Sequence, residues 1–293
     1  MTPDLELDSR STTTNALMDQ QPVPSAAPEN VWGYRKRLVF LRRAIADFFP
    51  GRDARSIQVL DVGCGNGSQV AIPLASSGFQ VMGVDPHLTS IEHARRLARD
   101  ISNADFFCGY ARNLPPGRVF DVVILSEVLE HLDAPQQALQ ESLAHLAAHG
   151  VVLVTVPNGY GEFEVDSWLF RSLGLAKVLE LVKNSTRLRS IVRRLRPGGD
   201  EEFLSTDNQE CGHVQFFTLP RLRSLFADLS LAVLREGAGS FLCGPIIYHT
   251  LAYSNWFVRW NARITDRLPL VLASGWYFAL RPKARISDEA GLE

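Results

Sequence analysis

The run Val59-Leu60-Asp61-Val62-Gly63-Cys64-Gly65-Asn66-Gly67 constrains this chain more than any other stretch. It opens apolar, as a strand buried in a parallel sheet does. It then turns glycine-rich and enters a helix start at Ser68-Gln69-Val70. A strand, a glycine turn and a helix bring backbone amides close to a nucleotide-like ligand. The details argue against a dinucleotide. A pyrophosphate turn reads G-x-G-x-x-G, but here the glycines are Gly63, Gly65 and Gly67, so the third comes one residue early. Asp61 sits late in the strand with its carboxylate toward the turn. That charge would repel a pyrophosphate and suits a ligand carrying an ammonium or sulfonium. A second run, from Gly78 to Pro86, ends in Asp85. This places a carboxylate about 20 residues past the turn, where it can take ribose hydroxyls.

The remaining chain supplies the frame for such a site. Strands are expected at Ser56–Val62, Gln80–Val84, Ala104–Cys108, Phe120–Leu125 and Val151–Val156, and later at Leu231–Arg235 and Trp276–Leu280. Helices are expected at Trp32–Ile45, Ser68–Ser77, Ser90–Arg99, Pro135–Ala148 and Pro220–Phe226, with Pro73 awkward inside the second and Gly150 capping the fourth. Alternation of this kind predicts a doubly wound α/β fold around a parallel sheet. Ligands bind beyond the carboxyl ends of such strands. Gly63–Gly67, Asp85, Gly109–Ala111, Ser126–His131 and Pro157–Tyr160 all fall on that edge.

Two stretches interrupt the alternation, 162–210 and 240–273, and are expected to form a cap. In the first, Leu188, Ile191, Val192 and Leu195 make an apolar stripe among Arg187, Arg189, Arg193, Arg194 and Arg196. Either the stripe packs down and the arginines are solvated, or residues 181–196 meet anionic lipid headgroups or a phosphate-bearing acceptor. In the second, Tyr248, Tyr253, Trp256, Phe257 and Trp260 either wall an acceptor pocket or fill a core. Residues 1–29 read as a disordered tail, 30–282 as the domain and 283–293 as a flexible tail.

Composition sets limits on function. A net charge of −2 gives no global field for nucleic acid, so none is expected as a partner. The four cysteines, Cys64, Cys108, Cys211 and Cys243, have no zinc spacing, so no metal is expected. Free thiols, a polar N-terminus and no apolar run of about 18 residues fit a cytoplasmic protein without a transmembrane helix.

The motif Asp61-x-Gly63-x-Gly65, with Asp85, Glu127-Val-Leu-Glu130-His131, Pro157-Asn-Gly-Tyr-Gly161 and His213-x-x-Phe-Phe-Thr218, resembles class I S-adenosylmethionine-dependent methyltransferases. The branch it looks like includes ubiquinone-biosynthesis and bacterial sugar or glycan O-methyltransferases. The likeness covers residues 31–160 and 211–237. It implies a seven-stranded, mostly parallel sheet with an antiparallel last strand, and S-adenosyl-L-methionine as cofactor. It implies Asp61 facing the donor's ammonium, Gly63, Cys64, Gly65, Asn66 and Gly67 forming the turn, and Asp85 with Pro86 at the ribose. Tyr110 and Ala111 would lie at the adenine, where the family often has an acidic residue and this chain departs. Ser126 and Glu127 would lie near the methionine part. Tyr34 and Arg35, on the first helix, would reach the donor's carboxylate. Candidate bases for an acceptor hydroxyl are His131 and His213, although His131 equally suits a structural hydrogen bond. The expected reaction is O-methylation of a small-molecule, saccharide or lipid-linked acceptor, with peripheral contact at the inner face of the membrane through 181–196. The alternatives are an RNA-modifying methyltransferase and a non-catalytic donor-binding module.

Overall fold

A computed structural model describes residues 29–175, 214–252 and 254–290. Among them, seven strands form one sheet: β1 (Gln58–Val62), β2 (Gln80–Asp85), β3 (Ala104–Cys108), β4 (Phe120–Ser126), β5 (Leu146–Pro157), β6 (Leu231–Ala238) and β7 (Gly275–Pro282). Their order is β3-β2-β1-β4-β5-β7-β6. The strands from β3 to β5 pair in parallel, and β7 lies antiparallel to both β5 and β6. This is the doubly wound sheet with a reversed last strand that the motifs implied.

Side-chain alternation divides the strands between two cores. Val59, Val122, Ile124, Val151 and Leu153 point to one face, where they meet Leu41 and Ile45 of helix α1 (Tyr34–Phe48). Leu74 of α2 (Ala71–Ser76) and Ile91 of α3 (Leu88–Leu97) complete that layer. Leu60, Val123, Leu125, Val152 and Val154 point to the other face. There they meet Leu139 of α4 (Pro135–Leu143) and Leu222 and Phe226 of α6 (Leu219–Asp228). Both faces are covered, which is why β4 and β5 read as nearly unbroken apolar runs.

Three elements differ from expectation. The helix from Pro135 stops at Leu143, and Gly150 lies inside β5 rather than capping a helix. Leu146 pairs with Phe120, whose N–H donates to His145 O at 2.8 Å, so extending the ladder satisfies a buried donor. The register shifts next to this pair, and a Cβ on Gly150 would stand 2.6 Å from Leu146 Cδ1. The glycine therefore serves close packing at an irregularity in the strand. The second helix starts at Ala71, not Ser68, so Pro73 falls in its first turn, where a missing N–H costs nothing. Residues Lys283–Ala290 form helix α9 rather than a loose tail, and Arg285 Nη1 donates to the Leu146 carbonyl at 3.3 Å.

At the other end, Glu29 belongs to the fold. Its carboxylate accepts from the backbone N–H groups of Arg35 and Lys36, both at 2.9 Å, in the first turn of α1. Residues 1–28 lie outside the described residues.

The insertions contribute α5 (Glu162–Ser172), α7 (Pro245–Thr250) and α8 (Asn255–Ile264). Asp166 Oδ2 of α5 accepts from Ile246 N at 2.8 Å, which ties α5 to the start of α7. Glu162 Oε2 accepts from Cys243 N at 2.8 Å. Phe257 and Val258 of α8 pack with Val31 in a small satellite core. The arginine-rich stretch 181–196, Cys211 and His213 lie outside the described residues.

Candidate active site

The site is built on the carboxyl ends of β1 and β2. The turn after β1 runs through Gly63, Gly65 and Gly67 at φ 72°, 54° and 74°, a left-handed path that glycine alone follows without strain. Gly63 N–H and Cys64 N–H both donate to Val84 O, at 2.8 and 3.1 Å, so the turn is tied to β2. Asn66 stiffens it further: its Oδ1 accepts from Ser68 N at 3.2 Å and from Ser68 Oγ at 2.7 Å. The Cys64 thiol is buried and its pKa is pushed well above 9 by burial and by Asp61 and Asp85, so it lines the turn without acting as a nucleophile.

Asp85 is held from two sides. Its Oδ2 accepts from Gly65 N and its Oδ1 from His87 N, each at 2.9 Å. Each oxygen keeps a lone pair for a ligand hydroxyl. Pro86 is exposed just beyond it.

Asp61 is in the opposite condition. It is 2% exposed and its Oδ2 has no hydrogen-bond partner. Burial pushes its carboxyl from the usual 3.8 up to about 8. The backbone N–H of Ala71 opposes that rise, Asp85 adds to it, and Arg37 opposes it. A buried carboxylate oxygen without a partner is costly and therefore uncommon.

Helix α1 lies over the turn. Tyr34 is buried, and its hydroxyl donates to Ser68 O at 3.2 Å. Arg35 is exposed and is not brought into the site. The guanidinium that does reach it is that of Arg37, which the sequence reading passed over. Arg37 is 8% exposed; its Nη2 donates to Gln69 Oε1, its Nη1 lies 3.5 Å from Glu127 Oε1, and its Nε has no partner. The signal was available, since Tyr34, Arg37, Leu38 and Leu41 fall at i, i+3, i+4 and i+7 on the buried face.

The opposite wall comes from the end of β4. Glu127 takes φ 56°, unusual outside glycine, and its Oε1 accepts from Thr155 Oγ1 at 2.8 Å. Ser126 Oγ is 2.9 Å from the same hydroxyl. A non-glycine residue in this region stores strain and is common at functional sites. Glu130, in the turn Leu129–His131, is buried with Oε2 unpartnered. Burial and then Glu127 push its carboxyl well above the usual range, with Arg37 opposing. His131 Nε2 lies 3.7 Å from Glu130 Oε1 and stands partly open to solvent. The Glu130 carbonyl accepts from Val214 N and Gln215 N, so the segment that follows His213 docks on this turn. Tyr110 is exposed and its ring is covered by the Arg112 guanidinium at 4.1 Å, while Ala111 is buried beside it. Among the described residues, no group of three or more His, Cys, Asp or Glu is arranged to hold a metal.

A carboxylate with one unpartnered oxygen, a guanidinium with an unpartnered Nε, a fixed second carboxylate and a glycine cradle suit a zwitterionic amino acid joined to a nucleoside. Comparison with known proteins gives the family. A family model described as a methyltransferase domain matches residues 31–242. The ubiquinone biosynthesis O-methyltransferase of Rickettsia canadensis is 30% identical over 123 residues, 42% of this chain and 51% of that protein. That of Rickettsia typhi is 30% identical over 159 residues, 54% of this chain and 62% of that protein. The chain thus spans about half the length of the curated relatives it matches. The structure of PKMT2 from Rickettsia typhi has a TM-score of 0.53 at 17% identity, covering 88% of this chain and 55% of that one. Its complex with AdoHcy gives 0.51 with the same identity and coverage. At such identity the likeness is one of fold. With the motif, the sheet order and a family model spanning most of its length in agreement, the chain belongs to the methyltransferase domain family, in the class I, S-adenosylmethionine-dependent fold.

Proposed function

We propose that this protein binds S-adenosylmethionine at the β1–β2 edge and transfers its methyl group to an oxygen of a small-molecule, saccharide or lipid-linked acceptor. The observation that carries the reading is the buried, unpartnered Oδ2 of Asp61, set close enough to Asp85 and Arg37 to feel both charges. When bound, the donor supplies a methyl carbon already activated by the sulfonium. Asp61 receives its ammonium, Arg37 its carboxylate, and Asp85 the ribose hydroxyls. The turn at Gly63–Gly67 lets the backbone approach. Glu127 and Ser126, locked together through Thr155, hold the wall beside the methionine part. The protein's share of catalysis is alignment of the acceptor behind the methyl carbon and exclusion of water, worth on the order of 10⁵ M in effective molarity or more.

A hydroxyl acceptor must also lose a proton, and His131 and His213 are the candidates to take it. Oxygen as the methylated atom is supported by the ubiquinone O-methyltransferases among the relatives. Contact of residues 181–196 with a membrane, and a cytoplasmic setting, belong to the same proposal. No helix among the described residues is long and apolar enough to cross a membrane.

Calorimetry with S-adenosylmethionine or S-adenosylhomocysteine tests the donor. Asp85→Ala removes hydrogen bonds to a charged acceptor and is expected to weaken binding about 10- to 100-fold. Absence of binding in the wild type would overturn the reading. A screen of acceptors with methyl-labelled donor then names the acceptor class.

A further inference from the structure

Helix α8 carries a surface that the donor site does not use. Its inner face, Phe257, Val258, Asn261 and Ala262, is buried. Asn261 anchors it, accepting from Leu242 N at 2.8 Å and donating to Leu242 O at 2.8 Å. The outer face presents Trp256, Arg259, Trp260 and Arg263, at i, i+3, i+4 and i+7, all exposed, with exposed Arg267 in the turn beyond. Trp256 is 70% exposed and stacks on Trp260 with centroids 6.3 Å apart. Trp256 stands in water, and Trp260, 38% exposed, rests one edge on buried Phe257 at 5.7 Å between ring centroids while the rest of its ring stays open, so neither indole is needed to fill the core.

Composition of the stripe selects its occupant. The exposed positions of α8 hold indoles, guanidiniums and Asn255, with neither an acid nor an exposed aliphatic residue. Asp266, the acid nearest in sequence, is paired with Lys36 Nζ at 2.7 Å. Tryptophan places an apolar ring and a polar N–H at one level, and arginine keeps its charge in water while its stem lies on apolar surface. Interleaved on one face, they match the headgroup layer of an anionic bilayer. A net charge of −2 makes this basic stripe a local feature rather than an overflow of global charge.

We propose that the outer face of α8 docks this protein on anionic lipid membranes, with Trp256 and Trp260 entering the headgroup layer and Arg259 and Arg263 meeting lipid phosphates. The proposal does not depend on methyl transfer, because docking is measured without donor or acceptor.

The test is co-sedimentation of the full chain with vesicles of phosphatidylcholine alone or mixed with phosphatidylglycerol. Two double variants accompany it, Trp256→Ser with Trp260→Ser and Arg259→Glu with Arg263→Glu. All four side chains are exposed, so the fold should survive, which circular dichroism checks. The wild type is expected to bind the anionic vesicles and not the neutral ones. Each double variant should lower the partition by about tenfold or more, the charge reversal most strongly at low salt. Three results would overturn the proposal. One is a wild type that ignores anionic vesicles. Another is binding unchanged in both double variants, which would move the contact to residues 181–196. The third is absence of vesicle binding with self-association that the Trp variant abolishes, which would make the stripe a contact between copies of this chain.

Discussion

Burial raises the Asp61 carboxyl to about 8, which favours its protonated form near neutral pH. An ammonium placed against it favours the charged form and pulls that value down. Donor binding should therefore release a proton from Asp61. At about pH 7 a net release of protons is expected as the donor binds. Calorimetry in two buffers of different ionisation enthalpy measures it. Asp61→Asn should abolish the release and weaken binding, and a wild type that releases none would remove Asp61 from the ammonium's path. Gly63 makes a separate prediction. It sits at φ 72°, and a Cβ there would stand 2.7 Å from Val128 Cγ2. Gly63→Ala should cost roughly 1–2 kcal/mol from the left-handed backbone alone, with the clash added. Thermal melting should show the loss, and donor affinity should fall with it, because the turn cannot move without leaving Val84.

At the scale of elements, what the sequence made legible is what burial dictates. β4 and β5 read as strands because both of their faces are covered, and the carboxylates at the ends of β1 and β2 were visible from spacing alone. The errors came where a tertiary contact overrode local preference. Ala144-His145-Leu146-Ala147-Ala148 is mostly good helix formers. It leaves the helix because Phe120 needs an acceptor at His145 and Leu146 needs a strand partner. Arg35 came from the family resemblance, whereas the spacing of Tyr34, Arg37, Leu38 and Leu41 puts the Arg37 guanidinium on the buried face, where a charged side chain does not read as apolar. The run of aromatics from Tyr248 to Trp260 offered a core or a pocket wall, with core the commoner reading, yet one turn of α8 splits it into buried Phe257 and exposed Trp256 and Trp260. The insertion also yields a prediction. Asp166 lies in α5 but accepts from Ile246 and Ile247 at the start of α7. Asp166→Ala should cost about 0.5–2 kcal/mol, as loss of a helix cap does. Hydrogen exchange should report the loosening in α7 and its neighbours, with β1 to β5 still protected.

For the whole molecule, the unpartnered carboxylate ties the stability of the fold to pH and to the donor. Between the ordinary carboxylate pKa of 3.8 and about 8, the folded protein keeps the Asp61 proton that the unfolded chain has released. The unfolded state then binds fewer protons, so the stability of the ligand-free protein falls as pH rises through that window. Glu130, also raised by burial, acts in the same direction. Asp61→Asn keeps the shape and removes the titration. Its melting temperature should match the wild type near pH 4 and exceed it by a growing margin toward about pH 8. The donor reverses the comparison. It binds the folded form alone and stabilises it by RT ln(1 + [L]/Kd). Because its ammonium selects the charged carboxylate, that gain should increase with pH in the wild type until the ligand's own ammonium loses its proton. In Asp61→Asn the gain should be smaller and nearly flat. Thermal melting of both proteins across pH, with and without S-adenosylhomocysteine, separates the two trends. Parallel curves for wild type and variant would mean that the buried carboxylate is satisfied by the protein itself, and the donor's cation would have to be placed elsewhere on the sheet edge.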